Sequence, residues 1–163
     1  MEIMKGKKIL GAIAFGFIGF LSGGALFCKL HWISKRKSNE KLERLRGYYS
    51  LLNQWLQLKH LDISLDKYFF NHSYHTVAIY GMGELGMRLY EELKGSEVKV
   101  RCAIDKKADS IYSDLEVYCL EDCPKDIDVI VVTPTFAYGE IKEELSCYVD
   151  CPIISLEDVL FEM

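Results

Sequence analysis

Apolar and polar positions change their period several times along the chain. Residues 9–28 show no alternation at all: twenty consecutive residues carry no charge. At about 1.5 Å per residue, twenty helical residues reach roughly 30 Å, the hydrocarbon thickness of a bilayer. The run has no polar face, so it predicts a transmembrane helix. Over residues 38–60 the period becomes helical. Leu42, Leu45, Tyr49, Leu52 and Leu56 recur at spacings of three and four, Trp55 widens the stripe, and Lys41, Glu43, Arg44 and Lys59 fill the other sides. This amphipathic helix is expected to pack on the chain's own globular part; its twin in a dimer or another protein are the alternatives. After a break at Asp62 and Ile63, Ser64 is expected to cap a short helix reaching Phe70.

From residue 77 the pattern reads strand, turn, helix, strand. Val77 to Tyr80 form an apolar run suited to a strand covered on both faces. Gly81, Met82, Gly83, Glu84, Leu85 and Gly86 follow as a Gly-x-Gly-x-x-Gly turn, then an amphipathic helix over 84–93 and a second strand ending at Asp105, 24 residues after Gly81. A lone glycine triplet means little, but this whole βαβ context is what a dinucleotide-binding fingerprint requires. Gly81 permits the tight turn, Gly83 lets backbone approach a phosphate, and Gly86 lets the helix pack on the sheet. The helix would aim its unpaired amides and positive dipole end at a pyrophosphate. Glu84 is expected to cap that helix and face solvent. Asp105 suits a ribose without a 2′-phosphate; Lys106 and Lys107 are expected as surface lysines, with a phosphate contact as the alternative.

Further strands are expected over 115–120, 127–133 and 152–155, with helices over 140–147 and 156–161. The fold class is therefore α/β, a short parallel sheet of about five strands in order 3-2-1-4-5. Thr133, Pro134 and Thr135 fall at the C-terminal end of the fourth strand, where such a sheet binds ligands. No second, substrate-bringing domain is expected.

Charge divides the 163 residues unevenly. Residues 1–46 carry ten Lys or Arg against three acids, a balance of +7, and residues 47–163 carry ten against twenty-one, a balance of −11. The acidic part is a poor candidate for nucleic-acid binding, which needs a basic footprint. Lys29, Lys35, Arg36, Lys37, Lys41, Arg44 and Arg46 follow the apolar run, so the positive-inside bias puts the C-terminal part in the cytoplasm of a single-pass protein of the cytoplasmic membrane. The same cluster suits anionic membrane lipid. A cleaved signal peptide is the rival reading, with Lys5, Lys7 and Lys8 as its basic start and 22–25 as its small-residue cleavage zone. Gly19-x-x-x-Gly23 and Ala12-x-x-x-Gly16 would permit helix pairing and a homodimer. The organisation is thus a short tail over 1–8, a membrane helix over 9–28, a basic segment and helical linker over 29–75, and a nucleotide-binding domain over 76–163.

About 70% of the chain, from residue 47 on, resembles small bacterial NAD(P)-binding Rossmann domains of the nucleoside-diphosphate-sugar epimerase/dehydratase type. The likeness rests on Val77 to Gly86, Ala103 to Asp105, Asp128 to Thr133 and Pro152 to Leu156. Such domains are often encoded beside surface-polysaccharide enzymes. The resemblance implies NAD or NADP, or a nucleotide-sugar, bound at Gly81, Gly83, Gly86 and Asp105, with a glycosyltransferase or sugar-nucleotide enzyme as partner. It implies an accessory or regulatory module of cell-envelope polysaccharide synthesis. An NAD(P)-dependent epimerase, dehydratase or reductase completed by a partner chain, and a structural scaffold with an empty fold, are the alternatives. Complete epimerases carry a catalytic Tyr-x-x-x-Lys. Here Tyr138 and Lys142 match the spacing but come directly after the fourth strand, too early for that position, so no catalytic residue is assigned and catalysis by this chain alone is not expected.

Of the six cysteines, five fall in the expected cytoplasmic domain and read as free thiols. Cys119 and Cys123, like Cys147 and Cys151, are separated by three residues rather than the two common in zinc sites, so no metal is assigned. His72 and His75 are expected in an exposed loop at the sheet end away from the ligand.

Overall fold

The computed structural model describes residues 31–32, 35–111 and 113–163, and the chain divides into two units, Met1–Arg46 and Gly47–Met163. The expected membrane segment, residues 9–28, lies outside the described residues; among those described, no helix is long and apolar enough to cross a membrane. In the first unit residues 35–46 are helical and exposed, with Arg36 paired to Glu40 and Arg46 to Glu43 along the helix.

The second unit is an α/β layer structure. Its elements are a helix over residues 47–60 (α1), α2 (Asp66–Asn71), β1 (Thr76–Tyr80), α3 (Glu84–Leu93), β2 (Lys99–Ile104), β3 (Val117–Tyr118), β4 (Val129–Val132), α4 (Tyr138–Leu145), β5 (Ile153–Ser155) and α5 (Leu156–Phe161). All strand pairs are parallel and the sheet order is β3-β2-β1-β4-β5, as the alternation of strand and helix patterns predicts. The third strand is shorter than expected. Only Val117 and Tyr118 pair with β2, because the chain turns into a 3-10 segment at Leu120.

Strand residues alternate between two cores. Val77, Ile79, Val129 and Val131 face one core, closed by Leu51, Trp55 and Leu58 of α1, Phe69 of α2, Leu89 and Leu93 of α3, and Leu156, Val159 and Leu160 of α5. Ala78, Tyr80, Ile130 and Val132 face the other, under Ile141 and Leu145 of α4. A register shift in β2 serves both cores. Val77 pairs with Val100 but Ala78 with Cys102, so Arg101 is skipped. The skip changes the parity of the strand: Val98, Val100 and Ala103 reach the first core, Cys102 and Ile104 the second.

Two expectations are corrected. α1 buries Leu51, Trp55 and Leu58, with Tyr48 packed beside them, whereas Tyr49, Leu52 and Leu56 stay 75%, 49% and 56% exposed. The helix carries two apolar stripes turned roughly a third of a turn apart, and the one containing the large Trp55 ring takes the core. Ser64 does not cap α2: the N-cap is Leu65, without a side-chain cap. Side-chain capping occurs instead at α5, where Ser155 and Asp158 form a reciprocal capping box.

Candidate functional site

The glycine turn leaves the C-terminal end of β1, the central strand, where the chain winds toward β2 on one side and β4 on the other. Ligands of open parallel sheets bind in such a crevice. Gly81 has φ +90°, which L side chains rarely adopt, and a Cβ there would lie 2.9 Å from the ring of Pro134. Its N–H donates to Ile104 O at 2.8 Å, joining the turn to the end of β2. A Cβ on Gly86 would collide with Gly81 O, so the first turn of α3 can sit on the strand end only if residue 86 is glycine. Gly83 differs from both. It is exposed, has φ −74°, and a Cβ added to it would meet nothing within 4 Å. The fold makes no steric demand for glycine at 83.

Between these glycines, Met82 and Leu85 bury their side chains in the first core. Gly83 is the N-cap of α3, and no side chain caps the helix. Glu84 lies exposed in the first turn as expected, where its charge complements the helix dipole, but it does not cap.

The structure brings Asp105 to this turn. Asp105 Oδ2 accepts the N–H of Met82 at 2.9 Å and Oδ1 accepts that of Lys107 at 2.9 Å. Asp105 is half-buried, and its carboxylate fixes the turn through these two bonds. Lys106 turns elsewhere: its Nζ donates to Glu144 of α4 at 2.7 and 3.0 Å, a partner 38 residues away that nothing in the local sequence identifies. That hydrogen bond raises the Lys106 pKa. Burial, partly countered by the Lys106 charge, raises that of the Tyr80 phenol on the other face of the strand end.

Thr133 and Pro134 also reach the turn, but from beneath. The Thr133 hydroxyl is buried and lies 2.7 Å from Gly81 O and 3.1 Å from Tyr80 O, where it can donate its proton. The Pro134 ring fills the space a Cβ on Gly81 would need. These residues support the turn from inside, and of the two threonines flanking Pro134 it is Thr135 that is partly exposed. Tyr138 donates its hydroxyl to Ile153 O at 2.8 Å, which joins α4 to β5, and Lys142 lies over the Tyr138 ring at 5.4 Å within α4. The chain matches no protein-family model, no curated protein and no solved structure.

Three thiols, Cys102, Cys123 and Cys151, gather at the second core. Cys102 is buried, Cys123 and Cys151 are half-buried, Cys119 and Cys147 are exposed, and all five are free. Burial pushes Cys102 up to about 12 and Cys123 up to about 11. Among the described residues no cluster of three or more His, Cys, Asp or Glu is placed to hold a metal. His72 and His75 are exposed at the opposite end of the sheet, where Asp128 accepts the N–H groups of His75 and Thr76.

Proposed function

We propose that residues 47–163 form a Rossmann-type module that binds a nucleotide or nucleotide-sugar at Gly81 to Gly86 and Asp105. The observation that carries this reading is the contrast among the three glycines. Gly81 and Gly86 are required by their own chain, whereas Gly83 opens onto free space at the uncapped start of α3. A glycine that the fold does not need, beside unpaired helix amides, is accounted for by a phosphate approaching the backbone. Asp105 stands beside it, able to accept from ribose hydroxyls with the oxygen capacity its two backbone bonds leave free. These residues fit NAD or a nucleoside-diphosphate sugar; Gly83 and the α3 amides would hold the pyrophosphate and Asp105 the ribose. A carboxylate there disfavours the 2′-phosphate of NADP.

The wider setting rests on sequence resemblance and on the uncharged run over 9–28. In it the module is tethered at the cytoplasmic membrane and serves cell-envelope polysaccharide synthesis as an accessory or regulatory part. The test is thermal denaturation of the purified chain with NAD, NADP and UDP-sugars, since a ligand that binds only the folded state must raise the melting temperature. A shift with NAD or a UDP-sugar, abolished by Gly83→Val, is the expected result. No shift with any of them overturns the reading.

A further inference from the structure

We propose that Phe136 receives the ring carried on the far side of the ligand's pyrophosphate, a ring with an apolar face such as nicotinamide or a hexose. Given a nucleotide at Gly81 to Gly86, the reading on which this rests, the order of the strand ends sets where that ring falls. Gly81 N–H donates to Ile104 O at 2.8 Å and Thr133 N–H to Tyr80 O at 3.0 Å, so the ends of β2, β1 and β4 stand side by side. Neighbouring strands lie about 4.8 Å apart. With a ribose at Asp105 beyond β2 and the pyrophosphate at Gly83 beyond β1, the next group of the ligand lies over the end of β4. Polar groups at that end are largely spent within the chain. Pro134 has no N–H, the Thr133 hydroxyl lies on the Gly81 and Tyr80 carbonyls, and the N–H groups of Thr135 and Ala137 donate to Thr133 O and Pro134 O. What the end of β4 offers instead is a ring. Phe136 sits in the 3-10 segment Thr135–Ala137 and is 51% exposed. Tyr48 of α1 stands edge-on to it, with ring centroids 6.3 Å apart and planes at 72°, and Tyr48 packs against the first core. The contact turns Phe136 toward the first-core side of the sheet, the side on which α3 and its uncapped amides begin. An exposed aromatic ring seated there is a stacking surface for a flat or CH-rich ring.

Calorimetric titration of the full chain in mild detergent compares NAD with ADP-ribose, which lacks the nicotinamide, and UDP-glucose with UDP, which lacks the hexose. In the pair that binds, Phe136→Ala should weaken the ring-bearing ligand at least about fivefold and leave its shorter partner within about twofold of wild type. Unchanged binding of the shorter ligand shows that the variant is folded and that the ribose and phosphate contacts are intact. Phe136→Tyr keeps the stacking surface and should keep wild-type affinity for both. A response with NAD assigns the ring to nicotinamide, and a response with UDP-glucose assigns it to a hexose. Nucleotide binding that Phe136→Ala leaves unchanged, or weakens equally for both members of a pair, overturns the role of Phe136 while the site at Gly81 to Gly86 stands. Binding of none of the four ligands by the wild-type chain overturns both.

Discussion

Asp105 and Met82 lie 23 residues apart in sequence and meet across 2.9 Å, the carboxylate of one accepting the backbone N–H of the other. The bond ties the end of β2 to the turn leaving β1. It makes the acid at the second strand's end a structural part of the glycine turn as well as a ligand candidate. Replacing it should therefore change both stability and binding. Asp105→Ala leaves the Met82 and Lys107 amides without their acceptor and should cost about 1–3 kcal/mol in urea denaturation. It should also abolish the thermal shift given by NAD or a UDP-sugar. A variant with wild-type stability would show that water replaces the carboxylate at no cost.

The glycines separate fold from ligand. Gly86→Ala drives a methyl group into Gly81 O, and should destabilise by about 1–3 kcal/mol or prevent folding. Gly83→Ala meets nothing and keeps an ordinary backbone conformation, so its stability should remain within about 0.5 kcal/mol of wild type while ligand affinity falls. Urea titration of both proteins, followed by calorimetric titration of Gly83→Ala with NAD and UDP-sugars, reads the two effects apart.

Thr133 supports the turn through a buried hydroxyl. Thr133→Val keeps the shape but leaves Gly81 O without that donor, which should cost about 1–2 kcal/mol. Thr133→Ser keeps the hydroxyl and should recover most of the difference in the same urea titration.

Alkaline pH should weaken the fold through Cys102. Burial raises its folded-state pKa from an ordinary value of 9.0 to about 12. The unfolded chain therefore releases this proton first. The stability held below pH 9 is lost as pH rises toward 12, at up to about 1.4 kcal/mol per pH unit for this one group. Cys102→Ala should flatten that part of the profile, measured by denaturant unfolding between pH 8 and pH 11.

Thiol accessibility gives an independent check on the two cores. Alkylation followed by peptide mass spectrometry should modify Cys119 and Cys147 first, Cys123 and Cys151 more slowly, and Cys102 only on unfolding. Rapid labelling of Cys102 would contradict the packing of β2 against the second core.

What the sequence by itself determined is the local plan of the second unit. Apolar runs, the glycine turn and amphipathic helix periods lie within ten residues of their own causes, so the βαβ start, the strand leading into Thr133 and the parallel order 3-2-1-4-5 were all readable. Contacts between distant residues were left to the tertiary structure. α1 has two apolar stripes of similar period, and only packing against the sheet selects the one with Trp55. Skipping Arg101 reverses the facing of β2, because the register is set by two neighbouring cores and not by the strand's own pattern. Lys106 finds Glu144, Thr133 turns inward to Gly81, and Asp105 closes on Met82. The common physical reason is that spacing along a chain fixes which groups share a face, while three-dimensional packing fixes which faces are covered and which polar atoms meet.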